Sequence, residues 1–195
     1  MATAQSTVYS VPNLLTYGRI AAIPAIVACL YSSQHLWLWV ALVIFIVAAI
    51  TDYLDGYLAR AWSQQSSLGK MLDPIADKLL VGAVLIMLAA NGTITGLALI
   101  PAIIILSREI LVSGLREYLG QMNLSVPVSN LAKWKTAVQL VALGVLVTGP
   151  AGDALIPGTV MVGIGLLWLA ALLTVWTGYD YVRAGIGHLV AADQA

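Results

Sequence analysis

Long apolar runs separated by short polar breaks organise this chain. The run LWLWVALVIFIVAAI carries no charge, and comparable windows recur along the sequence. A helix that crosses a bilayer needs about 20 mostly apolar residues. The pattern predicts six such spans, over residues 12–31, 36–61, 70–91, 95–121, 131–149 and 157–185. The breaks SSQH, SQQSSLGK, NGT, MNLSVPVS and GPAGDALIPG are rich in turn residues. Spans two, four and six are longer than the hydrocarbon requires, so their polar ends should stand out in water. Pro74 is expected in the first turn of the third span, where a missing N–H costs little. Short alternating segments of the kind a membrane barrel uses are not the pattern here. The fold class is therefore all-α, a polytopic membrane protein with six transmembrane helices, forming a single domain over residues 1–195.

Composition agrees. The 195 residues are 61% hydrophobic and 9% charged, against about 25% charged in soluble domains. A net charge of zero argues against nucleic acid as a partner. The lone cysteine, Cys29, lies in an apolar run and can form no intrachain disulfide. The opening MATAQSTVYS lacks the basic start of a cleaved signal peptide. Short loops rich in Lys and Arg stay on the cytoplasmic side. The basic residues are Arg19, Arg60, Lys70, Lys78, Arg108, Arg116, Lys133, Lys135 and Arg183, and none falls near the breaks at 32–35, 91–94 and 150–156. Both termini are therefore expected inside. Trp37, Trp39, Trp62 and Trp134 sit near span ends, as an interfacial belt requires. His35 and His188, also at predicted helix ends, read as interfacial.

Against this background four aspartates stand out. Asp52 and Asp55 end the second span, and Asp73 and Asp77 open the third. At about 100° per residue, Asp52, Asp55, Gly56 and Ala59 share one helix face. Gly69, Asp73 and Asp77, four residues apart, make a matching stripe. Consecutive antiparallel helices bring both stripes to one depth on the cytoplasmic side. A single aspartate at a helix end is ordinarily a solvated residue. Four held together would repel one another, and Mg²⁺ or Mn²⁺, which take oxygen ligands and join carboxylates to phosphates, remove that conflict. A pair of such ions can clamp a displacement at phosphorus.

The spacing is Asp52, two residues, Asp55-Gly56, two residues, Ala59-Arg60, eight residues, Gly69, three residues, Asp73, three residues, Asp77. It resembles the signature of the CDP-alcohol phosphotransferases, with every position filled. The resemblance implies that Asp52, Asp55, Asp73 and Asp77 hold a divalent metal pair that grips the diphosphate of a CDP-linked lipid. It implies that Asp77 is also the general base, and that Gly56, Ala59 and Arg60 border the cytidine nucleotide. Two further stretches resemble the phosphatidylglycerophosphate synthase branch of that family. One is VPNLLTYGRIAAIP, in Pro12, Asn13, Leu15, Thr16, Arg19 and Pro24. The other is SREILVSGLREYL with AKWKTAVQ, in Arg108, Glu109, Arg116, Glu117, Lys133, Lys135, Thr136 and Gln139. Ala132 departs from the glycine expected before the lysine, and the likeness is weak over the last helix.

The residues point to the same substrate class. Arginine suits bidentate phosphate recognition, and lysine acts as a point charge. Arg108 is set deep in an apolar helix, whereas Arg116, Lys133 and Lys135 could equally be interfacial anchors. The resemblance thus implies a bacterial inner-membrane enzyme, and the placement of Lys and Arg turns its active site to the cytoplasm. Its expected partners are CDP-diacylglycerol, sn-glycerol 3-phosphate, membrane lipids and, by resemblance, a second copy in a homodimer. Asn13, Thr16, Asp52, Asp55, Gly56, Ala59, Arg60 and Gly69 are the donor-binding candidates. Arg19, Arg108, Arg116, Lys133 and Lys135 are the candidates for the acceptor phosphate. Rival readings are the same chemistry with phosphatidylglycerol, serine or inositol phosphate as acceptor, a cation transporter, or a non-catalytic scaffold. Transporter sites lie nearer the midplane, and a complete motif argues against a scaffold.

Overall fold

In the computed structural model, residues 11–32, 34–61, 67–122 and 130–193 are described. Among them the chain forms six α-helices: α1 (Val11–Tyr31), α2 (His35–Ala61), α3 (Ser67–Ala90), α4 (Leu99–Gln121), α5 (Asn130–Leu155) and α6 (Thr159–Asp193). A 3-10 turn, Gly96–Ala98, precedes α4. The all-helical expectation holds among the described residues. A bilayer leaves no water for unpaired backbone groups, and helices satisfy theirs internally.

Among the described residues, five helical stretches are long and apolar enough to cross a membrane: Asn13–Tyr31, His35–Asp52, Gly96–Gln121, Leu131–Leu155 and Thr159–Gly187. The third expected span is a helix but is not among them. Asp73, Asp77 and Lys78 lie in its first half, and only Leu79–Ala90 is free of charge. Large apolar side chains such as Val43, Ile46, Ile103, Leu172 and Trp176 are exposed along the helices. In water such surface would be costly; in lipid it is the matching face.

Three local expectations are corrected. Helix α3 begins at Ser67, so Pro74 lies inside it rather than in its first turn. There it withdraws the N–H that would bond the Lys70 carbonyl. Helix α4 starts later than expected, because Gly96 (φ 55°) turns the chain into the 3-10 segment first. The stretch GPAGDALIPG is helical as far as Leu155, and the break falls at Gly149 (φ 48°, ψ −132°) and again after Leu155.

The chain divides into two compact units, one of residues 1–93 and 144–160, the other of 94–143 and 161–195. In the first, α1 packs against α2 and α3, with Ile26, Leu30, Ala41, Phe45, Val84 and Leu88 buried. Its end away from the aspartates is closed by polar turns. Asn91 accepts from the Thr93 N–H at 3.1 Å and reaches the Leu30 carbonyl at 3.5 Å. Asp153 accepts from the Val160 N–H at 3.0 Å. In the second unit, Val112, Leu119 and Tyr181 form a buried cluster with Leu115 against it.

Candidate active site

The first unit carries the aspartates. Helix α1 is apolar except for a stripe at Asn13, Thr16 and Arg19, all buried to 2% exposure or less. Two successive three-residue steps keep these side chains on one face. That face is turned to the carboxylates. The Thr16 hydroxyl donates to Asp73 Oδ1 at 2.5 Å, and Arg19 Nη1 lies 2.5 Å from Asp52 Oδ1. One face of α1 thus holds a carboxylate from α2 and another from α3. Asp73 and Asp77 both act electrostatically on Asp52, as does Lys78. Lys78 Nζ is 3.8 Å from Asp77 Oδ2.

Asp73 and Asp77, expected together with Asp52 from their stripes, are therefore both in electrostatic reach of Asp52. Gly69 is buried on α3. Asp55, Gly56, Ala59 and Arg60 belong to α2 by backbone, but their environments lie outside the described residues. Among the described residues no three carboxylates close into a ready cage for a cation. The donor chemistry still fits Mg²⁺ or Mn²⁺: only carboxylate and hydroxyl oxygens are offered, on two helices tied to a third. Arg19, a candidate for the acceptor phosphate, has its guanidinium on Asp52.

The second unit carries the other cations. Arg108 and Glu109 are neighbours on α4. The Lys135 ammonium, on α5 and nearly buried, donates to Glu109 Oε1. Arg108 Nη1 lies 3.9 Å from the same carboxylate oxygen. Arg108 Nη2 donates to the Thr177 hydroxyl on α6 at 3.2 Å. The Arg116 guanidinium lies over the Tyr181 ring, 5.5 Å from its centroid, within cation–π range. Lys133 and Glu117 are exposed. Gln139 Oε1, Thr174 Oγ1 and Arg108 Nε are buried and, among the described residues, meet no hydrogen-bond partner.

Thr177, Gly178 and Tyr181 were not singled out from the sequence. The signal was present in an otherwise apolar helix: Thr174, Thr177, Gly178 and Tyr181 repeat at helical spacing, and all four are buried.

A family model for CDP-alcohol phosphatidyltransferases matches residues 9–176. The chain belongs to the CDP-alcohol phosphatidyltransferase family. It is an enzyme family, and the long apolar helices of this chain suit a membrane protein. A protein of Rickettsia bellii named CDP-diacylglycerol–glycerol-3-phosphate 3-phosphatidyltransferase is 50% identical over 175 residues, covering 90% of this chain and 94% of the relative. One of Cereibacter sphaeroides with the same name is 37% identical over 215 residues, covering 93% and 97%. A rice protein named cardiolipin synthase (CMP-forming) is 38% identical over 193 residues, covering 89% of this chain and 56% of the relative.

Proposed function

We propose that this CDP-alcohol phosphatidyltransferase moves the phosphatidyl group of CDP-diacylglycerol to sn-glycerol 3-phosphate, giving phosphatidylglycerophosphate and CMP. The observation that carries the reading is similarity over nine-tenths of the chain to relatives bearing that activity in their names. The geometry adds support, since α1 ties Asp52 and Asp73 together.

In this reading Asp52, Asp55, Asp73 and Asp77 hold Mg²⁺ or Mn²⁺, which supplies charge neutralisation for the donor diphosphate. Asn13, Thr16, Gly56, Ala59, Arg60 and Gly69 border the donor nucleotide. Thr16 orients the Asp73 carboxylate, and Arg19 offsets the charge of Asp52. Asp77 takes the proton of the acceptor hydroxyl. That oxygen then bonds to the phosphorus bearing diacylglycerol as the bond from this phosphorus to the CMP oxygen breaks. Arg108 and Arg116 hold the acceptor phosphate, and Lys133 and Lys135 add positive charge. Six spans with both termini at the cytoplasmic face of a bacterial inner membrane, and a homodimer, complete the proposal. The one-sided distribution of Lys and Arg supports the orientation.

The test is CMP release by purified protein with Mg²⁺ or Mn²⁺ and CDP-diacylglycerol, comparing acceptors. Glycerol 3-phosphate should be fastest. Faster release with phosphatidylglycerol would transfer the reading to a cardiolipin synthase, the name the rice relative bears. Faster release with serine or inositol phosphate would keep only the family.

A further inference from the structure

Helix α6 lies almost wholly outside the substrate reading above, and the family match ends at residue 176, just before Thr177. Yet Thr177 and Gly178 meet Arg108 in two ways. The Thr177 hydroxyl donates to the Leu173 carbonyl at 2.8 Å, which leaves its lone pairs turned away from its own backbone. One of them accepts from Arg108 Nη2 at 3.2 Å. A hydroxyl has one donor and two acceptor sites, so both contacts are made together. Gly178 is adjacent, and a Cβ built there would stand 3.0 Å from Arg108 Cγ and 3.2 Å from Arg108 Nε. The arginine stem therefore lies against bare α6 backbone. Its Nε is buried there without a hydrogen-bond partner among the described residues.

We infer that Thr177 and Gly178 are positioning residues that seat the Arg108 guanidinium for the acceptor phosphate. The inference rests on the proposed acceptor role of Arg108 and extends it to the last helix. Arginine has several rotatable bonds and loses more entropy than most side chains when ordered. Gly178 fixes the stem by close packing, and Thr177 fixes the plane by taking one Nη2 hydrogen. The Nη1 end remains, near the Glu109 carboxylate that also binds Lys135. A fork held by its inner edge offers its outer edge in one orientation, as bidentate phosphate binding requires. The back-bond to Leu173 uses only the hydroxyl's donor site, and its acceptor side is what meets Arg108.

The experiment is steady-state kinetics on the purified full chain with Mg²⁺ or Mn²⁺, varying glycerol 3-phosphate and CDP-diacylglycerol in turn. Thr177→Val keeps the shape and removes the acceptor. It should raise the KM for glycerol 3-phosphate about tenfold, the loss of one charge-assisted contact, with the donor KM within twofold. Thr177→Ser should restore the wild-type value. Gly178→Ala should shift the same KM in the same direction, and it carries the test alone if Thr177→Val does not accumulate as folded protein. In an Arg108→Ala background, Thr177→Val should add nothing. Wild-type acceptor KM in Gly178→Ala and in folded Thr177→Val would overturn the inference while leaving the acceptor role of Arg108 intact. So would an undiminished effect of Thr177→Val without Arg108. If Arg108→Ala alone left the acceptor KM unchanged, the acceptor role and this inference would fall together.

Discussion

Asp52 and Asp73 come from different helices, and each already has a partner on α1, Arg19 and Thr16 respectively. A carboxylate oriented by a neighbour is presented in one geometry, and such outer contacts typically matter 10- to 100-fold for metal affinity. Arg19 has its side chain fully buried, whereas that of Asp52 is 44% exposed. The carboxylate therefore keeps an open side for a further ligand. From this follows the prediction for the aspartates. Asp52→Asn, Asp55→Asn and Asp73→Asn should each bring CMP release to background while the protein still inserts and folds, and excess chelator should do the same to wild type. Asp77→Asn should lower turnover by about 10²–10⁴-fold, the usual scale of general-base help, and retain some donor binding. Full CMP release in chelator would rule out the metal role, and wild-type turnover in Asp77→Asn would rule out the base.

At the scale of elements, the unusual helix is α5. Its backbone leaves helical geometry at Gly149, where φ is 48° and ψ −132°, with Pro150 next. Only glycine enters this region without strain. The site is also close-packed, since a Cβ at 149 would stand 3.4 Å from the Thr93 hydroxyl oxygen and 3.8 Å from Leu38. Gly149→Ala should therefore destabilise the protein by about 1–3 kcal/mol. The readout is a melting temperature in detergent lower by several degrees, with the KM of both substrates unchanged. A melting temperature at or above wild type would show that the kink is not strained for other residues. Helix α3 shows the opposite balance: charges crowd its beginning, and the buried residues Leu80, Val81, Val84, Leu85 and Leu88 follow. Its second half is the apolar, buried part, and its first half carries the polar site.

At the scale of the whole molecule, the prediction is orientation. Single cysteines at Gln65 and Ser125, in a Cys29→Ala background, should resist an impermeant thiol reagent in intact cells, because both positions lie in sequence between basic residues, Arg60 and Lys70 for the first and Arg116 and Lys133 for the second. Cysteines at Leu36 and Ile156, where the native side chains are 68% and 70% exposed, should react. Gly152 is unsuitable as a probe, since a side chain there would run into the Thr148 hydroxyl. The reverse labelling pattern would place the aspartates outside the cell and overturn the proposed topology.

The helical, membrane-embedded class was legible in the sequence because hydrophobic periodicity and charge are local properties that a bilayer reads directly. That Asp52 and Asp73 would share one site was legible too, for the fixed spacing of the aspartates puts them on two stripes of consecutive helices. The partners of those stripes were not. That Arg19 lies on Asp52 could not be read from the sequence, because its direction depends on how α1 packs against α2. Thr177 and Gly178 looked like ordinary residues of an apolar helix, and only the approach of α4 gives them Arg108 as a neighbour. Spacing along one helix decides which side chains share a face. Which face meets which is a property of packing between distant segments, and that was decided only in the tertiary structure.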